Sequence, residues 1–91
     1  MLALDITGQF KRDYKREKAG QHTDLDDVFK TVMGLLVNKQ PLPVANKDHP
    51  LQGEWKGCRD CHLKPDLVMI YRKSKTAIEL VRLGSHSELF G

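Results

Sequence analysis

No stretch of this chain is apolar for long enough to cross a bilayer. The longest such runs, Leu35-Leu36-Val37 and Leu67-Val68-Met69-Ile70-Tyr71, fall far short of the ~20 residues a membrane helix needs. The start, Met1-Leu2-Ala3-Leu4-Asp5, lacks the basic segment, apolar stretch and small-residue cleavage site of a secretory signal, so a cytoplasmic protein with no membrane partner is expected. Only two cysteines occur, too few for the disulfide framework of a small secreted domain, and free thiols are the expectation. Charge of one sign is not in large excess either. Fifteen Lys and Arg against twelve Asp and Glu give +3, a balance that an ordinary solvated surface explains. No internal repeat is present.

What is there fits one folded domain over residues 1–91. Hydrophobic residues are 40% and charged ones 30%, well outside the weakly hydrophobic, highly charged class that stays disordered. A chain of this length supplies one modest core, not two. The placement of charge is more informative than its sum: Asp24, Asp26 and Asp27 lie early, while Lys56, Arg59, Lys64, Arg72, Lys73, Lys75 and Arg82 crowd the second half. A basic face built from that half would attract a polyanion such as RNA, or an acidic protein.

Residues 2–6 are short and hydrophobic and predict a first strand. From Gln9 to Ala19, Phe10 and Tyr14 share a helical face and Gly20 marks the stop. Thr23 offers an N-cap for a second helix in which Leu25, Val28, Phe29, Val32, Leu35 and Leu36 recur at three and four, the pattern of one buried face. Asn38 and Pro41-Leu42-Pro43 end it. Residues 39–53 carry three prolines and no periodicity, which predicts a long irregular connection. Three β-rich runs follow, at 55–62, 67–72 and 76–83, with short turns between them that suggest an antiparallel meander. The expected architecture is α+β, in the order β-α-α-β-β-β, with an antiparallel sheet, two N-terminal helices on one face, and a short C-terminal tail or helical turn.

A meander brings the end of its first strand, the start of its second and the end of its third to one edge. Those positions carry His62, Asp66, Arg82 and, just beyond, His86. Two imidazoles that exchange protons near neutral pH, a carboxylate and a fixed guanidinium suit phosphodiester cleavage. An RNA strand supplies its own nucleophile, the 2′-hydroxyl. The protein then has to remove that proton, protonate the departing 5′-oxygen and stabilise charge on the phosphate, which requires no metal or other cofactor. Taken singly, each residue is more often a turn or surface residue, and Arg82 could simply cover a sheet face with its aliphatic stem.

Cys58-Arg59-Asp60-Cys61-His62 also matches the C-x-x-C-H haem-attachment pattern, and with His49 and His86 it could be drawn as a zinc-binding structural site. Residues three apart on a strand point to opposite faces, so an extended 55–62 would keep the two thiols from gripping one ion.

The segment Lys47-Asp48-His49-Pro50-Leu51-Gln52-Gly53-Glu54-Trp55-Lys56-Gly57 is followed by Arg59-Asp60, His62, Pro65-Asp66 and Ile70-Tyr71, and the chain ends Arg82-Leu83-Gly84-Ser85-His86-Ser87-Glu88-Leu89-Phe90-Gly91. In these residues the chain resembles the YafQ branch of the RelE/ParE toxin-antitoxin superfamily. The likeness is strong from Lys47 onward, weaker through the second helix, and limited to element order in the first twenty residues. It implies a RelE-like fold and a type II toxin that acts as an mRNA interferase. Such a toxin enters the 30S A site of the 70S ribosome beside 16S rRNA and cuts the translated mRNA. It is neutralised by a cognate antitoxin and meets operator DNA only through that antitoxin. The resemblance places the family's active-site pattern on His49, His62, Asp66, His86 and Phe90, with Trp55 nearby. Arg82 is the expected charge stabiliser, and Phe90, Lys47, Lys56 and Arg59 are the expected RNA contacts. By chain order His49 starts about 25 Å from the other groups, at ~3.3 Å per residue, unless the 39–53 loop folds back along the sheet. A non-catalytic binding module of the same fold, as in ParE-like toxins that act on a protein, is the alternative.

Overall fold

The computed structural model describes every residue from Met1 to Gly91. Strand β1 (Ala3–Ile6) ends at Thr7, whose hydroxyl accepts the Phe10 amide at 3.0 Å and caps helix α1 (Gly8–Ala19). Helix α2 (Leu25–Val37) buries Leu25, Val32 and Leu36 of the face that the three-and-four spacing predicts, together with Met33, and leaves Val28, Phe29 and Leu35 half-buried. Its N-cap is Asp24 and not Thr23, and the Asp24 side chain makes no cap bond because it pairs with Lys64.

The remaining strands are β2 (His49–Pro50), β3 (Arg59–Lys64), β4 (Leu67–Lys73) and β5 (Ala77–Gly84), followed by helix α3 (His86–Phe90). They form one sheet in the order β1-β5-β4-β3-β2. The expected meander β3-β4-β5 is antiparallel throughout, but the sheet as a whole is mixed, since β1 runs parallel to β5 with Ala3 opposite Ala77. The α1–α2 pair carries the chain across the sheet between β1 and β2, its two edge strands, so β1 is free to take the direction of the edge it joins.

Two clusters fill the two sides of the sheet. The larger sits under α1 and α2 and takes Phe10 and Leu36 from the helices, with Cys61, Met69, Tyr71, Leu80 and Leu83 from the strands. The smaller lies on the opposite side, where Cys58, Val68, Ile70 and Leu89 pack with Leu51, Trp55, Val81 and Phe90. The tail is therefore not free: α3 docks Leu89 on the sheet, held by a reciprocal cap between Ser85 and Glu88. No helix is long and apolar enough to cross a membrane.

Beyond Ile6, β5 has no neighbouring strand on its β1 side, and α1 completes its hydrogen bonding there. Fully buried Asp13 accepts the Leu83 amide at 3.0 Å and Arg82 Nε at 2.8 Å, while Arg16 Nη2 donates to the Leu83 carbonyl at 3.2 Å. Burial opposes ionisation of Asp13, yet the bonds from Arg82, the Leu83 amide and Gln9 outweigh it and hold the pKa below the ordinary value. Asp13→Ala should cost about 2–4 kcal/mol, because a buried N–H loses its partner while two partly exposed arginines are partly rescued by solvent. Because the folded pKa is depressed, this contribution is complete above about pH 4, the unfolded carboxylate range, and is lost as pH falls through the lower folded value. Urea unfolding of both proteins across the acid range should therefore show the gap closing on acidification. A gap that stayed constant would mean that Asp13 acts through packing alone.

Candidate active site

The candidate chemistry lies on the side of the sheet away from α1 and α2, along one transverse row. His49 on β2 is opposite Asp60 on β3, Asp60 is opposite Ile70 on β4, and Ile70 is opposite Arg82 on β5. His62 occupies the next same-facing position on β3, opposite Val68, which in turn pairs with Gly84, two residues before His86. The 39–53 connection does fold back: β2 closes a narrow hairpin on β3, and Asn46 Nδ2 donates to the His62 carbonyl at 2.7 Å. This is how His49 crosses the distance that chain order alone would leave.

Asp60 is the centre of this arrangement, and the sequence reading gave it no role beyond its place in the motif. It is 3% exposed, and His49 Nε2 lies 2.8 Å from its Oδ1. The approach is off the hydrogen-bond line, so Oδ1 is a buried oxygen with a cationic neighbour when His49 is protonated but with no directed donor. Burial pushes the Asp60 pKa up, and His49, His62 and His86 pull it back, with a net rise. A carboxylate poised in this way can orient an imidazole, store a proton or steady a positive charge.

Each histidine is held differently. His49 is exposed and its Nδ1 is 3.1 Å from the Pro50 carbonyl, so both ring nitrogens face oxygen. His62 is half-buried with Nδ1 3.3 Å from the Pro65 carbonyl. His86 opens α3 and leans on the ring of Phe90, four residues on, at a centroid distance of 4.9 Å. Phe90 is half-buried against the smaller cluster.

Arg82 gives only its Nε to Asp13, and its terminal nitrogens have no protein partner. Asp66 does not join the histidines. It lies in the β3–β4 turn with its side chain 64% exposed, and its nearest ionisable neighbour is His22, 4.0 Å away. Lys47 and Lys56 are exposed, whereas Arg59 is engaged by Asp48. Trp55 is half-buried against the smaller cluster.

The zinc arrangement is not formed. Cys58 belongs to the smaller cluster and Cys61 to the larger, on opposite faces of β3, and no three His, Cys, Asp or Glu side chains are grouped to hold a metal. Burial pushes the Cys61 thiol up to about 12, which makes it an inert core residue. An apolar groove of about 410 Å³ lined by Ile6, Phe10, Tyr14 and Phe29 lies on the helical side, away from this chemistry.

Comparison with known proteins adds the following. The family model described as the bacterial toxin of type II toxin-antitoxin systems, YafQ, matches residues 2–91. The mRNA interferase toxin YafQ of Escherichia coli K12 is 42% identical over 89 residues, 97% of this chain and 95% of that protein. The crystal structure of the E. coli DinJ-YafQ complex superposes over the full length of both chains with a TM-score of 0.84 at 39% identity. A metal-bound toxin from Helicobacter pylori gives a TM-score of 0.84 at 45% identity over 99% of this chain and all of that one.

Proposed function

Because this chain belongs to the YafQ family of type II toxin-antitoxin toxins, we propose that it is an mRNA interferase that cuts translated mRNA in the ribosomal A site. A cognate antitoxin neutralises it, and its action on ribosomes places it in the cytoplasm. The observation that carries the reading is the gathering of three histidines around buried Asp60, in one row with Arg82.

In this reading the mRNA lies across the row with its scissile phosphate near the terminal nitrogens of Arg82. His62, beside Asp60, takes the 2′-hydroxyl proton, and the oxygen attacks phosphorus. His86 protonates the 5′-oxygen as the P–O bond breaks, and Arg82 steadies the charge that grows on the phosphoryl oxygens. Asp60 holds the imidazoles in charge balance. Asp66, exposed at the same end of the sheet, is a group that bound RNA would meet, and helps His62 as proton acceptor once the strand excludes water. The Phe90 ring, held beside His86, offers an aromatic face to a base. Every step is an acid-base or electrostatic one performed by side chains, so cleavage should survive EDTA at ion levels that keep ribosomes intact.

The deciding experiment is primer-extension mapping of mRNA in a translating extract. Cuts locked to the reading frame, and absent when initiation is blocked, are expected. Cuts scattered without regard to frame would remove the ribosome from the reaction.

A further inference from the structure

The two-residue strand β2 holds one of the site's three histidines with little backbone support. Pro50 has no amide to donate, and beyond it the hairpin is closed by a single bond from the Leu51 amide to the Cys58 carbonyl at 2.9 Å. The chain enters β2 through Lys47, a non-glycine residue in the left-handed region at φ 48°, a conformation that persists only when its surroundings impose it. Something other than the ladder has to fix this segment.

That role falls to the neighbouring carboxylate. Asp48 Oδ1 accepts the Tyr71 hydroxyl at 2.6 Å and Arg59 Nε at 3.2 Å, and its Oδ2 lies 3.4 Å from Arg59 Nη2. Arg59 and Tyr71 are directly opposite one another on β3 and β4, so two strands of the rigid meander aim donors at one side chain of the weakly held one. Tyr71 is 1% exposed within the larger cluster. Burial and the Asp48 bond push its pKa well up, so it stays a donor throughout the physiological range. Successive residues on an extended chain face opposite ways: with Asp48 clamped toward the helical side, His49 is turned to the other side, where it meets Asp60.

We propose that Tyr71, Asp48 and Arg59 form a clamp whose task is to set the His49 imidazole against Asp60 before RNA arrives. They are positioning residues and touch no substrate, which moves Arg59 from the expected RNA contacts to the support of the site. The inference rests on the ribonuclease reading for its consequence in catalysis, but not for its geometry.

Tyr71→Phe is the sharpest test, since it removes one hydroxyl and leaves the buried ring in place. The groups that face Asp60 are His49, His62 and His86, which hold its pKa down, and Asp48, which raises it. If the clamp loosens and His49 drifts away, the Asp60 carboxyl should titrate at higher pH in Tyr71→Phe than in the wild type, as read by carbon-13 NMR of the isolated toxin. Cleavage on programmed ribosomes should fall about tenfold in kcat with KM unchanged, because what is lost is geometry at the reacting centre. Asp48→Ala should give the same loss of kcat, and the double variant no more than either single one, as expected of residues that act through one contact; the Asp60 titration is compared only in Tyr71→Phe, because removing the Asp48 charge itself lowers the Asp60 pKa. An Asp60 titration that does not move in Tyr71→Phe overturns the clamp, whether activity falls or not, and so do fully additive effects. Should the wild type prove unable to cut RNA, the function reading fails, while the carboxyl titration still decides the clamp.

Discussion

Replacement of His86 by alanine is expected to lower the rate of mRNA cleavage by ~10²–10⁴-fold, the usual worth of a positioned general acid or base, and to leave the fold intact. The two halves of this expectation come from the same geometry. The His86 ring is exposed and leans on Phe90. The forces that dock α3 lie elsewhere, in the Ser85–Glu88 cap and in the burial of Leu89. Removing the imidazole therefore withdraws a proton donor without withdrawing support, and the thermal midpoint should stay within a few degrees. Single-turnover cleavage on ribosomes, together with neutralisation by the antitoxin as a check on folding, measures both. Wild-type cleavage by the alanine variant would take His86 out of the chemistry and force the acid role onto His49 or His62.

Much of this arrangement is legible in the residues before any coordinates are known, and what is not legible has a physical cause. The three-and-four spacing from Leu25 to Leu36 fixes both the existence of α2 and its buried face. Three β-rich runs with tight turns fix the antiparallel order of β3, β4 and β5, and with it the closeness of His62, Arg82 and His86. The direction of β1 is not encoded in its own five or so residues. A short apolar strand pairs equally well either way, and its direction is decided by where α1 and α2 deliver the chain. Strand β2 is invisible for a related reason: with only two residues, one of them a proline, it exists because β3 offers it an edge.

Two acidic residues lie in surroundings that the sequence alone does not show. Asp66, expected at the site from its place after a strand with a histidine at its end, is projected outward by a tight turn, beside His22. Asp60 looks like one more charge in a basic half, yet Cys58, just before β3, and Asp60 and His62 within it alternate at a spacing of two, and the partners of Asp60 on that face are Ile70 and the smaller cluster. Alternation alone could have flagged a carboxylate forced to share an apolar face. It could not have revealed that three histidines from three other parts of the chain, the β2 hairpin, the end of β3 and α3, converge there to make its burial tolerable.

The last expectation concerns the nucleophile. A substrate mRNA carrying 2′-O-methyl at the cut site should still be bound and positioned but should be cleaved ~10³-fold more slowly or not at all. An internal hydroxyl held next to phosphorus acts at an effective concentration far above that of any external nucleophile, including water. The unmodified substrate should yield a 2′,3′-cyclic phosphate, or the 3′-phosphate formed when it opens, on one fragment and a 5′-hydroxyl on the other. The same chemistry sets the pH dependence. Asp60 must be ionised to balance an imidazolium beside it, and because its pKa is raised by burial, activity should fail on acidification at a pH above the ordinary carboxylate range. Asp60→Asn should erase that acid limb and lower the plateau. A second limb should belong to the groups that exchange the proton, and the apparent values describe the coupled set and not any one residue. A 5′-phosphate product, or steady cleavage of the 2′-O-methyl mRNA, would show that water attacks the phosphate; the histidine row would then have to activate a solvent molecule instead of a sugar hydroxyl.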